Sequence, residues 1–395
     1  MKHERALNLV AILKKKSVFL FGPRAVGKTY LINKQLSAEA LIINLLNSEI
    51  YLRLSANPTQ IREMIAASKK KLIVIDEIQR IPELLNEVHD LIESKKLTFL
   101  LTGSSVRKLR GKGVNLLAGR AWQANLFALT TKEITKFNLA RYLQFGGLPA
   151  VYGSEYPEEE LDAYVHTYLR EEIQAESFVR KIPAFSRFLQ VAALTSGQML
   201  NFSKIASDTG VPLSTVREYY QILQDTLIGF MLTAWTKSKK RKAIGTAKFY
   251  FFDVGVRNTL AGIKKIDPIS EIYGQSFEHF LILEVKSYLS YMRIKKDISY
   301  WRSKNGHEVD LLIGDEIAIE IKSTKSVSER YLTGLKYLAE EKILKRYILV
   351  SQDSIARKVG KIEVMNWKSF VEELWAGRLV KPKSVIRNPS SSPRT

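Results

Sequence analysis

Three groups of residues carry chemistry in their types and spacing. The first is Gly22-Pro23-Arg24-Ala25-Val26-Gly27-Lys28-Thr29, a G-x-x-x-x-G-K-T run directly after the apolar stretch SVFLF. Its glycines let backbone N–H groups close around phosphate oxygens at a helix start, where the helix dipole also favours anions. Lys28 then reaches the β- and γ-phosphates, and the Thr29 hydroxyl coordinates magnesium. The second group is Asp76-Glu77, which ends the apolar run KLIVI. Asp76 would hold the metal through its shell and Glu77 would polarise an attacking water, a pairing that points to triphosphate hydrolysis; the plainer role is capping of the next helix. On the following run, LTFLLTGSS, Thr102, Ser104 and Ser105 stand at a strand's carboxyl end. One of these hydroxyls, with Ser104 as the catalytic candidate, would sense the γ-phosphate, although serines also end strands without function.

The third group lies in the last third of the chain. Glu278 is followed 32 residues later by Asp310, and Asp310 by Glu320 after another 10, with Lys322 two positions beyond in the strand-like IAIEIK. Strand alternation projects Glu320 and Lys322 from one face. Three carboxylates, Glu278, Asp310 and Glu320, would hold one or two divalent ions while Lys322 activates water or offsets phosphorane charge. An exposed edge strand with a salt-bridged E-x-K is the bland alternative, weakened because charges inside an apolar strand are costly to bury. His307 and Glu308 flank this region and would tune it, although a lone histidine here is more often a surface polar residue.

Between these groups, SKIASDTGVPLSTVREYYQILQDT reads as helix, tight turn at Gly210, helix. Ser214, Thr215, Arg217 and Glu218 would present themselves at the start of the second helix, as in modules that enter a DNA major groove. Strand-like runs at 227–235 and 247–252 flank the basic turn Lys237-Ser238-Lys239-Lys240-Arg241-Lys242, a cationic hairpin tip suited to phosphates or a minor groove. The same hairpin also reads as a solvated turn of a structural winged helix.

These residues need elements to position them. Apolar runs at 17–21, 41–46, 71–75 and 97–102 alternate with helical stretches at 28–36, 58–67 and 82–95, the pattern of a parallel sheet covered on both faces. The expected class is therefore α/β: a P-loop domain at 1–150, a helical and winged-helix domain at 151–270, a second α/β domain at 271–388 and a disordered tail at 389–395. With 395 residues and 46% apolar content, the chain exceeds a single small module and is not globally disordered. Lysine and arginine number 61 against 40 acids, for a net charge of +21. Residues 1–150 carry 24 basic and 11 acidic side chains, whereas 151–270 carry 15 and 13. The basic surplus favours a polyanion partner, and a soluble lysine-rich surface is the alternative. Without cysteine there is no disulfide framework or thiolate zinc site, which fits a reducing cytoplasm. No apolar run reaches the ~18 residues of a membrane span, so neither insertion nor export is expected.

GPRAVGKT, LIVIDEIQRIP, FLLTGSS and NLLAGRA resemble the bacterial and archaeal AAA-type ATPases, and FGGLPAVY, YVHTYLREEI and YFFDVGVRN extend the resemblance over nearly the whole chain. The resemblance implies an AAA+ core, ATP and magnesium as cofactors, and a homo-oligomer. Arg107, Arg110 and Arg120 are then candidates to stabilise transition-state charge in a neighbouring subunit's site, with Arg120 preferred because a strand follows it. The carboxylate and lysine spacing resembles the PD-(D/E)xK nuclease superfamily over about residues 274–350. The expected function is an ATP-hydrolysing protein that couples nucleotide state to handling of duplex or branched DNA. Its rivals are a regulatory switch recruiting a protein partner, with a dead nuclease-like domain, and an ATP-gated metal-dependent nuclease.

Overall fold

The computed structural model describes residues 3–105, 109, 117–169, 182–238 and 243–382. In the first third, five parallel strands form one sheet: β1 (Ser17–Phe21), β2 (Ala40–Asn44), β3 (Leu72–Asp76), β4 (Thr98–Gly103) and β5 (Ala121–Asn125). Their order is β2-β3-β4-β1-β5, so β4 lies between the strand that enters the phosphate-loop sequence and the strand that ends in Asp76. Registers Phe21↔Gly103 and Ile75↔Leu101 bring those three carboxyl ends level.

Strand alternation builds the core on both faces. Val18, Leu20, Val74 and Leu100 pack on one side against helices α1 (Leu9–Leu13) and α2 (Lys28–Leu36). Phe19, Phe21, Ile73, Ile75, Phe99 and Leu101 pack on the other, against α3 (Ser48–Ala56), α4 (Ile61–Ser68) and α5 (Leu84–Lys95). The sequence pattern anticipates α2, α4 and α5 but not α3, which buries only Leu54 and so lacks a wide apolar stripe. Its signal is local: the Asn47 side chain caps it by accepting from Ile50 N.

Beyond β5 come the short helices α6 (Leu139–Phe145), α7 (Pro149–Gly153) and α8 (Pro157–Ala163), a π-helical segment Tyr164–Leu169, and α9 (Ile182–Leu194). Gly146 and Gly147 are required here. A Cβ on Gly146 would stand 2.0 Å from Asp253 Oδ1 and one on Gly147 2.6 Å from Leu129 O, while Gly147 N donates to Asp253 Oδ2 at 2.7 Å. Helices α10 (Phe202–Thr209) and α11 (Leu213–Asp225) flank Gly210, which ends α10 with φ 67° as its sequence position implies. The antiparallel hairpin β6 (Gly229–Ala234) and β7 (Lys248–Phe251) follows, and then α12 (Val254–Leu260).

The last third opens with the long helix α13 (Glu271–Tyr291). Strands β8 (Ile298–Arg302), β9 (Glu308–Ile313) and β10 (Ile317–Lys322) then run antiparallel. Helix α14 (Thr333–Ala339) leads to β11 (Arg346–Ser351), parallel to β10, and β12 (Arg357–Val359), β13 (Ile362–Asn366) and α15 (Trp367–Trp375) complete the unit. The sheet order is β12-β13-β11-β10-β9-β8-β6-β7. The hairpin assigned from sequence to the middle segment thus continues this mixed sheet, through Thr233↔Ser299 and Ala234↔Tyr300. Among the described residues no helix is long and apolar enough to cross a membrane.

Candidate nucleotide site and carboxylate cluster

The phosphate loop occupies the turn between β1 and α2. Gly22 is fixed by space, since a Cβ there would lie 2.5 Å from Leu126 O, and Gly27 by its φ of 94°. The remaining loop positions, Pro23, Arg24, Ala25 and Val26, carry the chain between them, with Ala25 also left-handed at φ 63°. Lys28 is buried at the start of α2, and its Nζ donates to Gly22 O at 2.7 Å and Pro23 O at 3.1 Å. The next residue, Thr29, donates from Oγ1 to Asp76 Oδ2 at 3.0 Å. The Thr102 hydroxyl donates to the other Asp76 oxygen and accepts from Glu77 N at 3.0 Å.

Glu77 holds φ 62°, a left-handed conformation uncommon for a side chain of its size. Its carboxylate accepts from Gln79 Nε2, which also lies 3.2 Å from Ser104 Oγ. Gln79 thus links the paired acid to the end of β4, a role that sequence spacing does not reveal. Among the described residues its Oε1 and the nearby Ser105 Oγ are buried without a partner. Beside the loop, a cavity of about 440 Å³ is lined by His3, Gly27, Tyr30, Leu129, Pro149 and Ala150.

Arg5 anchors the loop from behind. Its guanidinium donates to Val26 O at 2.5 Å, to Phe127 O at 2.7 Å, to Glu133 Oε1 at 2.9 Å and to the Tyr291 hydroxyl at 3.3 Å. Arg5 and Glu133 are both buried. Burial alone would lower the pKa of the guanidinium, but the Tyr291 phenol and the Glu133 carboxylate beside it raise it.

Arg120 sits at the amino end of β5, the sheet edge opposite the phosphate loop, and is paired with Glu93. The length of a five-residue strand separates it from its own loop by ~15 Å, farther than an arginine side chain extends. Arg107 and Arg110 lie outside the described residues, as do Lys239, Lys240, Arg241 and Lys242. Ser214 and Arg217 are exposed on the first turns of α11 and Thr215 is partly so, with Arg217 5.6 Å above the Phe202 ring. Lys237 is tied to Asp315 at 2.6 Å.

The structure gathers Glu278, Asp310, Glu320 and Lys322 into one cluster from α13, β9 and β10. Lys322 Nζ lies 2.6 Å from Glu320 and 3.4 Å from Asp310, whose Oδ2 also accepts from Ile321 N at 2.7 Å. Two further members carry no sequence signal. Lys248 on β7 lies 2.6 Å from Glu308 and 3.7 Å from Glu278, and the Tyr250 hydroxyl donates to Glu278. Burial raises the pKa of Glu320 and Glu278, and for Glu320 the charge on Asp310 adds to the rise. Desolvation alone would lower Lys248 and Lys322, but the carboxylates around both ammonium groups outweigh it and raise them. Two ammonium groups therefore offset part of the charge of the four carboxylates Glu278, Glu308, Asp310 and Glu320. Among the described residues no three acidic or histidine side chains are grouped to hold an ion. His307 stacks on Tyr337 with ring centroids 3.8 Å apart.

The five-stranded parallel sheet and its phosphate loop define a P-loop protein of the AAA class. Residues 14–135 match the AAA domain family, while 136–267 and 273–370 match two domains of unknown function, DUF8612 and DUF4143. An uncharacterized protein of Mycobacterium tuberculosis is 30% identical over 327 residues, covering 79% of this chain and 71% of that one. One from Haemophilus influenzae is 24% identical over 245 residues, covering 57% and 60%. The chain belongs to the family of the mycobacterial protein, and this chain joins an AAA domain to a carboxyl-terminal DUF4143 domain. Among solved structures, the replication initiator DnaA bound to AMPPCP and single-stranded DNA aligns over 56% of this chain and 89% of its own, at 13% identity. Its TM-score is 0.30, too low to carry a structural relationship.

Proposed function

We propose that the protein binds and hydrolyses ATP and couples that cycle to nucleic-acid handling by its carboxyl-terminal two thirds. The observation that carries the first part is the Thr29–Asp76 contact beside Lys28 and Glu77. A hydroxyl and a carboxylate held together offer the hard oxygen donors magnesium prefers, so the residues fit that ion. Bound there with ATP, magnesium would supply charge neutralisation between the phosphates. The loop amides and Lys28 hold the triphosphate, and the 440 Å³ cavity beside Gly27 has room for the nucleoside. Glu77 takes a proton from the attacking water, positioned through Gln79 and Ser104. Arg120 is out of reach of its own loop and held by Glu93, so service to the adjacent subunit of an oligomer would require that pair to open. ATP turnover measured in wild type and Glu77→Gln tests this reading. Loss of turnover with nucleotide affinity kept is the expected result, and equal rates would refute it.

For the second part, the α10–turn–α11 pair with its β6–β7 hairpin supports a winged helix, with Ser214, Thr215, Arg217 and Lys237 facing DNA. The order α13, three antiparallel strands, α14 and a parallel strand supports a PD-(D/E)xK nuclease-like domain. Lys248 and Lys322 offset part of the charge on Glu278, Asp310 and Glu320, and among the described residues no three acidic or histidine side chains are grouped to hold an ion, which favours a domain that binds DNA without cutting it. Incubation of plasmid with the protein and magnesium or manganese should leave it intact. Nicking that disappears in Asp310→Ala would instead establish the ATP-gated nuclease.

A further inference from the structure

The edge of the ATPase sheet opposite the phosphate loop collects lysines from three separate parts of the chain. Lys14-Lys15-Lys16 precede β1, Lys69-Lys70-Lys71 precede β3, and Lys95-Lys96 precede β4. Far apart in sequence, these segments become neighbours because β3, β4 and β1 are adjacent and parallel. Thr98 N donates to Lys71 O at 3.0 Å, and the register Val18↔Leu100 sets Lys16 level with Thr98. Seven of the eight lysines are exposed and Lys16 is half-buried. Of the acids at this edge, Glu93 is already paired with Arg120, and Glu39, before β2, stands level with Lys71 through the register Ala40↔Leu72, one acid beside the three lysines that precede β3. A groove of about 530 Å³ runs through the patch, lined by Lys16, Glu93, Lys96 and Arg120.

We propose that this basic edge is a track for the phosphate backbone of duplex nucleic acid. The proposal deepens the nucleic-acid part of the function above and rests on it, placing a contact on the ATPase domain itself. Three strands span ~10 Å, and lysine stems extend the charged width to that of a duplex face. Lysine is a point charge on a flexible stem, so the track would read phosphate rather than base sequence. Anionic lipid also attracts a lysine cluster, and apolar side chains inserting beside the lysines would add to that attraction. Among the described residues, none of the exposed large apolar side chains, such as Leu46, Leu52 or Ile269, lies in these three segments.

The test is fluorescence anisotropy of the full chain with a 30-base-pair duplex over a salt series, comparing wild type with the triple variants Lys14→Gln/Lys71→Gln/Lys95→Gln and Lys14→Arg/Lys71→Arg/Lys95→Arg. The glutamine triple should bind at least tenfold more weakly at low salt, with a slope of log affinity against log salt shallower by about 2–3. The arginine triple should bind like wild type, and both should retain affinity for an ATP analogue as a check of folding. Wild-type binding with an unchanged glutamine triple would overturn the track and leave the nucleic-acid reading standing. No wild-type binding would overturn both, and binding only to phosphatidylserine vesicles would reassign the edge to a membrane.

Discussion

Arg5 and Tyr291, 286 positions apart, meet at 3.3 Å behind the phosphate loop. The guanidinium also holds Val26 O of the loop, and the phenol also accepts from Phe127 N at 3.1 Å. The last residue of α13 is therefore one side chain away from the backbone that would cradle phosphate. Removing the phenol oxygen leaves a partly buried N–H without its acceptor, at a cost of about 1–3 kcal/mol. Tyr291→Phe should lower the urea midpoint accordingly and weaken ATP-analogue affinity several-fold, measured by equilibrium unfolding and fluorescence titration.

Gln79 joins Glu77 to Ser104, so its loss should disorder the acid without touching the phosphate contacts. Gln79→Ala should reduce kcat roughly tenfold, the scale of a lost positioning contact, with KM for ATP nearly unchanged. A rise in KM with kcat unchanged would mean that Gln79 serves binding instead.

Glu284 on α13 is buried, and burial pushes its carboxyl up to about 7 even though Thr131 N, Thr131 Oγ1 and Trp375 Nε1 donate to it at 2.7, 3.0 and 2.8 Å. The folded state keeps this proton where the unfolded chain has lost it. Its contribution is therefore full below about pH 4 and declines as pH rises to about 7, by on the order of 3 kcal/mol. Asp253, pushed up to about 6 by burial, acts in the same direction. Glu284→Gln should flatten the stability profile between about pH 5 and 7, read from unfolding midpoints across that range.

Lys286 faces a cavity of about 580 Å³ between the phosphate-loop start and α13, its ammonium 4.2 Å above the Phe230 ring. Among the described residues no carboxylate pairs with it, and burial lowers its pKa to about 8. The unfolded chain then binds the proton more tightly, so stability rises from about pH 8 toward 10. Lys286→Met should remove that rise and stabilise the protein at about pH 7 by on the order of 1–3 kcal/mol, as seen by denaturant unfolding.

What is legible in the sequence is local. The phosphate loop needs its glycines, lysine and threonine within eight positions, and Asp76-Glu77 needs only the strand before it, so both stand out unaided. Arg5, Gln79, Lys248 and Tyr291 act across tertiary contacts, the Arg5–Glu133 pair spanning 128 positions, and no periodicity marks them. The meeting of Asp310, Glu320 and Lys322 follows from strand alternation and the pairing of β9 with β10. The cation beside Glu278 and Glu308 is hidden from such reasoning, because Lys248 arrives on β7 and only the fold brings that strand beside α13 and β9.

The pairing of β6 with β8 makes the hairpin and the last third a single hydrogen-bonded fabric. Separating the two would strip β6 and β8 of each other, leaving each paired on one side only and with raw backbone on the other able to zip onto other molecules. Dissected fragments should therefore clump where the intact protein stays dispersed, and motion imposed on the hairpin will be transmitted to the carboxylate cluster as tilt of a shared plate.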